Sequence, residues 1–264
     1  MDFTTLGGLL LGFGAMIIAI IVEGKGDVSE LTPFFVNPSA WIIIIGGTFG
    51  ATLLSSRGKD MGRIGKIMGG LFKSRKYDHM AMIGTITSFA EKARREGLLA
   101  LEKDIQGIDN AMLSKALQLV VDGTEPEIVY AILQTQIMQQ KNQMNSDAGL
   151  FETLGGFSPT MGIIGTVMGL VGALKRMSTA GMEDTIKALA VAFIATFWGI
   201  GLANLVFLPM SAKVKARQKD EILMSQIIGE GILGVQAGNH PRVVEARLVS
   251  FLTEEKKAAA PKPE

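Results

Sequence analysis

Cysteine is absent from the 264 residues, which removes disulfides, thiolate metal sites and a cysteine nucleophile. Histidine is nearly absent: His79 and His240 stand far apart in polar surroundings and read as surface imidazoles rather than metal ligands. Charge is scarce as well, 19% of residues against 48% hydrophobic, a balance of membrane proteins rather than soluble domains. Strand-like alternation is missing. No paired carboxylates lie in the apolar stretches and no phosphate-binding glycine loop sits on a strand-to-helix turn, so no catalytic residue, metal or cofactor is expected. The basic blocks lack interleaved aromatics, and nucleic acid is not an expected partner.

What remains is apolar and helical. Leu6 to Val22 is uncharged and close to the roughly 20 residues a helix needs to cross a bilayer core; no basic segment precedes it and no small-residue cleavage site follows, so it reads as a retained span. A second span runs over 37–54, a third over about 151–174 and a fourth over about 186–208. The expected fold class is therefore all-α: an integral membrane protein with four transmembrane helices in two hairpins.

The net charge of +1 carries little information, but its distribution orients the spans. The link after the first span is acidic, with Glu23, Asp27 and Glu30 against Lys25. Arg57, Lys59, Arg63, Lys66, Lys73, Arg75 and Lys76 follow the second span, and Lys213, Lys215, Arg217 and Lys219 follow the fourth. Basic flanks face the cytoplasm, which places both termini there.

The chain then divides into a first hairpin (1–54), a helical cytoplasmic insertion (55–150), a second hairpin (151–209), C-terminal cytoplasmic helices (210–255) and a disordered tail (256–264) rich in alanine, lysine and proline. Within the insertion, 79–96, 109–121 and 125–147 carry apolar residues at helical spacing. Glu125-Pro126-Glu127 reads as a helix start, with proline in the first turn and acids at the positive end of the dipole, and the helix is expected to continue into the third span. Lys213 to Gln236 reads as another long helix, stopped near Gly238 and Pro241.

Inside the spans, Gly8 and Gly12, Gly46 and Gly50, and the run Gly162, Gly165, Gly169 and Gly172 let helix backbones approach. Acids are missing from the interiors of three spans, and the third has only Glu152 near one end. An ion path needs an ionisable group at depth, so a conducting assembly must take its carboxylate from a partner. Thr166 and Thr196 stand at comparable depth on neighbouring spans, where their hydroxyls either meet a cation or carboxylate or bond to their own helix carbonyls. Asn204 reads as interhelical glue. Pro159 interrupts the hydrogen bonding of the third span, where a kink is expected, and Pro209 closes the fourth.

Ser158-Pro159-Thr160-Met161-Gly162-Ile163-Ile164-Gly165-Thr166-Val167-Met168-Gly169-Leu170 resembles the third-span signature of MotA/PomA flagellar stator subunits. Ala195-Thr196-Phe197-Trp198-Gly199 through Ala203-Asn204 to Leu208-Pro209 resembles the fourth, and Arg94-Arg95-Glu96-Gly97 with Leu101-Glu102 the segment that bears the family's rotor-facing charges. The resemblance covers nearly the whole chain. It implies a pentameric ring in the bacterial inner membrane around two copies of a single-span MotB/PomB-type partner whose aspartate carries the ion. It further implies Thr166 and Thr196 on the ion pathway, Pro159 and Pro209 as hinge and coupling residues, and Arg94, Arg95 and Glu102 facing the rotor's switch ring. The threonines favour sodium over proton as the transported cation. The rival readings are an ExbB/TolQ-type energising subunit, which usually has three spans, and a membrane scaffold or transporter.

Overall fold

The computed structural model describes residues 3–73, 77–177 and 181–253. Arg75 and Lys76 of the basic run, and the tail expected to be disordered, lie outside the described residues. Every element described is helical. In order they are α1 (Phe3–Glu23), α2 (Leu31–Phe35), α3 (Pro38–Ser55), α4 (Gly58–Met61), α5 (Ile64–Leu71), α6 (His79–Glu96), α7 (Glu102–Ile105), α8 (Ala111–Val121), α9 (Pro126–Arg176), α10 (Gly181–Gln236) and α11 (Pro241–Val249). Four of them, α1, α3, α9 and α10, are long and apolar enough to cross a membrane. Helix α9 has 51 residues, far more than the roughly 20 a bilayer core needs, so the third span is one stretch of a longer helix that begins at Pro126.

Residues group into two compact units, Met1–Ser74 with Met144–Lys215, and Arg75–Gln143 with Ala216–Glu264. In the first, Asn37 caps α3: its Oδ1 accepts from the Ala40 amide at 3.2 Å, Pro38 fills the first turn, and its Nδ2 donates to the Val191 carbonyl on α10 at 3.2 Å. Trp198 is buried among Phe13, Phe35 and Trp41, and its Nε1 donates to the Phe34 carbonyl at 2.6 Å. That bond satisfies the indole in apolar surroundings and ties the α2 segment to the fourth span. Below it, Phe151 and Leu154 of α9 pack with Phe207 and Met210 of α10 and with Ile64 and Leu71 of the amphipathic α5. Arg63, at the start of α5, is held by Asp147 of α9 through Nη2 at 2.7 Å from Oδ2.

The second unit has an aliphatic core in which Ile86, Leu117, Leu133, Ile227 and Ile232 are at most 1% exposed. Its helices start where polar side chains take up free amides: Asp78 accepts from Ala81 at 2.9 Å, and Asn110 from Met112 and Leu113 at 3.0 Å each. His79 is buried, which corrects its reading as a surface imidazole: the Tyr77 ring lies beside it, tilted by 35°, and its Nε2 lies 3.2 Å from the Asp220 carbonyl. His240 caps α11, with Nδ1 accepting from the Arg242 amide at 3.3 Å. Gly238 takes a φ of 69° between α10 and α11, a left-handed position that ends the long helix.

Candidate functional site

The third and fourth spans meet through glycine. A Cβ on Gly162 would stand 2.8 Å from the Ala195 carbonyl and 3.2 Å from the Gly199 Cα, and one on Gly199 would stand 2.7 Å from the Ser158 carbonyl. Gly165 faces the Ala195 methyl and Gly169 the Ala192 methyl, while Gly172 faces open space. Backbones this close bring main-chain carbonyls within reach of side-chain hydroxyls on the other helix. Ser158, fully buried, donates to the Gly199 carbonyl at 2.8 Å.

One turn further, Thr166 Oγ1 and Thr196 Oγ1 share a hydrogen bond of 2.5 Å. Thr166 Oγ1 also lies 3.1 Å from the Ala192 carbonyl and 3.2 Å from the Gly162 carbonyl, and Thr196 Oγ1 lies 3.3 Å from the latter. Four neutral oxygens thus converge between the two helices, with both threonines half-buried. Hydroxyl and carbonyl oxygens can coordinate a hard cation or accept a carboxyl proton. Beside them a crevice of about 630 Å³ passes Gly165, Ala195 and Ile43 and reaches Asp184 and Lys187 at the start of α10.

Pro159 lies seven residues before Thr166, two helical turns along the same face of α9, and the helix runs uninterrupted through it. Pro209 is exposed on α10 and borders a separate pocket with Thr5 and Lys213. The lost N–H of Pro209 would have bonded to Leu205, and a π-turn over Ala203–Phe207 occupies that stretch. A second π-turn, Ile42–Gly46, falls on four consecutive isoleucines, whose branched side chains crowd an α-turn. Asn204 Nδ2 donates to the Ile200 carbonyl of its own helix at 3.0 Å, so that bond is not the interhelical one expected. Glu152, the third span's one acid, is paired with Lys215. Among the described residues no group of His, Cys, Asp and Glu could hold a metal ion.

In the second unit the chain turns sharply at Gly97, whose φ is 85°. Arg94 and Arg95 end α6 before this corner and Glu102 opens α7 after it, all three exposed. Lys92 Nζ, 2.8 Å from Asp104 Oδ2, and the buried Leu101 hold the corner closed.

Residues 104–226 match the family model of the MotA/TolQ/ExbB proton channel family. Motility protein A of Bacillus subtilis is 32% identical over 96% of this chain and 91% of its own length. The chain belongs to the MotA/PomA family. Chemotaxis protein PomA of Vibrio alginolyticus is 33% identical over 98% of both chains. The solved structure of C. jejuni MotAB superposes with a TM-score of 0.89 at 29% identity, covering 100% of this chain and 99% of that one.

Within this MotA/PomA chain the fold brings Thr166 to Thr196 and sets Pro159 on their helix face, whereas Pro209 borders a different pocket and Arg94, Arg95 and Glu102 belong to the other unit. Ser158, Gly199 as the partner that Gly162 meets, and the Trp198 anchor are neighbours of the threonine pair to which sequence reasoning gave no role. The serine next to Pro159 and the glycine three residues after Thr196 were the available signals.

Proposed function

We propose that this chain is the channel-forming subunit of a flagellar motor stator, seated in the bacterial inner membrane with both termini in the cytoplasm. The observation that carries the reading is the half-buried cluster of Thr166, Thr196 and two carbonyl oxygens in spans that contain no deep acid of their own. Such a cluster can solvate a cation or a protonated carboxyl but cannot hold charge by itself. The charge comes from a single-span MotB/PomB-type partner, present in two copies inside a pentameric ring of this chain. The crevice that runs from Asp184 to Gly165 and Ala195, the chain neighbours of Thr166 and Thr196, is the route by which the cation, sodium rather than proton, reaches the partner's aspartate.

Arrival of the ion neutralises the aspartate and changes what it prefers to touch on the Pro159 and Thr166 face. Departure restores a charge that apolar surroundings penalise, and the ring moves on by one subunit. One elementary charge crossing 100 mV releases about 2.3 kcal/mol, so work on the rotor needs repeated passages. Arg94, Arg95 and Glu102, exposed at the Gly97 corner, transmit the step to the switch ring through charge. An ExbB/TolQ-type role is less well supported, since the similarity to motility proteins runs the length of the chain.

The test is swimming of a stator-deleted cell complemented with this chain and its partner, with and without sodium. Swimming should require sodium, and Pro159→Ala should stop rotation while the ring still assembles. Swimming that persists without sodium would overturn the ion assignment, and full motility of Pro159→Ala the coupling role.

A further inference from the structure

Within the first unit, the start of α1 and the α10 stretch around Pro209 leave a pocket of about 280 Å³ between them. Its two ends differ chemically. At one rim Lys213 Nζ meets the Thr5 hydroxyl and lies 3.5 Å from Thr4 Oγ1, so a cation and two hydroxyls converge. From there the groove runs along Leu9, Leu205 and Val206, with Leu71 of α5 closing one side. The nine helical rises from Lys213 back to Asn204 cover about 14 Å, roughly half the thickness of a hydrocarbon core.

Glycine spacing on α1 shapes the cavity. Gly12 is filled, because a Cβ there would stand 2.9 Å from Leu205 Cδ2. Gly8, one turn nearer the rim, has nothing within 4 Å of the same added atom and lines the groove. The rim also lies on the basic side of the spans: Arg57, Lys59 and Lys66 are exposed on the neighbouring α4 and α5 stretch.

We propose that this pocket binds one anionic phospholipid of the leaflet on the Lys213 side, its phosphate at Lys213, Thr4 and Thr5 and one acyl chain along Gly8, Leu9 and Leu205. The choice of occupant follows from charge complementarity and depth. A cation with two hydroxyls at the headgroup level, continued by a mainly apolar channel whose one amide, Asn204, donates to its own helix, matches a lipid phosphate joined to a chain. A free anion would leave the apolar end unused, and a neutral headgroup would not use the lysine charge. The site is independent of the ion pathway.

The full chain, purified in mild detergent and offered equal amounts of phosphatidylglycerol and phosphatidylcholine with matched chains, is read by native mass spectrometry. Phosphatidylglycerol should be retained preferentially. Lys213→Gln should lower its retention about fivefold, the effect of one basic residue at an anionic surface, and Lys213→Arg should restore it. Gly8→Leu, which fills the groove from a position where an added atom meets nothing, should lower retention of the lipid with helicity unchanged. Lys66→Gln should have no effect.

Equal loss in Lys66→Gln would mean a diffuse surface field, and equal retention of the two lipids would remove the headgroup role. Displacement by excess inorganic phosphate would make the rim an ion site. Gly8→Leu that separates copies of the chain while retaining lipid would assign the groove to a second copy. Each of these overturns the proposal. Circular dichroism of every variant separates them from a failure to fold.

Discussion

The two units bury their residues by opposite means. Where α9 meets α10 in the spans, contact is made by Gly162, Gly165, Gly169 and Gly199, and the bonds across it run from hydroxyls to carbonyls. In the other unit, the core is built of fully buried isoleucine and leucine, and Gly231 on α10 exists to admit the Ile86 side chain, 2.6 Å from where its Cβ would be. The solvent explains the contrast. Water drives large aliphatic side chains together, whereas lipid tails are as apolar as leucine and offer no such drive. Membrane helices therefore gain from close packing and from hydrogen bonds that lipid cannot replace. The same bareness that lets the helices touch is what exposes the oxygen cluster.

Gly162→Leu is the hardest test of this contrast, because its neighbours are backbone atoms that cannot rotate away. It should abolish the folded subunit, well beyond the about 1–3 kcal/mol that ordinary overpacking costs, and membrane yield with protease resistance reads the outcome. Survival of a native-like protein would show that the approach is loose. Ile86→Ala should cost about 3 kcal/mol in the aliphatic core, seen as a lower urea midpoint of the transition that exposes Tyr77. A small cost would mean the core can collapse around the cavity.

Thr166→Val keeps the shape and removes one hydroxyl, so the stability loss should be only about 0.6 kcal/mol by thermal unfolding in detergent, while sodium-dependent swimming falls sharply. Unchanged swimming would separate the cluster from ion passage. The smallest effect belongs to the exposed link. Asp27 caps the turn Val28–Glu30, and its bonds from Ser29 hold its carboxyl below the usual 3.8. A depressed folded-state value stabilises above the unfolded value and is lost as pH falls through the folded one. Asp27→Asn should therefore lower the melting temperature slightly at neutral pH, and the difference from the parent should vanish in acid.

Most of the architecture could be read from local pattern. The apolar runs fall on the four helices long and apolar enough to cross a membrane, and Pro126 opens α9 where proline in a first turn said it should. Helix α6 covers His79–Glu96, the stretch whose spacing predicted it, and the Gly162 to Gly169 run does face another helix. The pairing of Thr166 with Thr196 was expected only as equal depth; that they touch depends on the register of two helices, which a separation of 30 positions along the chain does not encode locally.

The bonds of Ser158 and Trp198 could not be read from the sequence because their partners are backbone carbonyls, at Gly199 and Phe34, and a carbonyl has no letter in a sequence. His79 was misread for a related reason. Its polar neighbours along the chain face elsewhere, and burial came from α10, more than a hundred positions away.

The π-turn at Ala203–Phe207 has a consequence for comparing relatives. A π-turn spends one more residue on the same length of axis than the α-helix around it. A relative whose fourth span is α-helical throughout must therefore be aligned with a one-residue gap inside this helix, or every position from there to Gln236 will be matched to the wrong neighbour, about 100° around the cylinder.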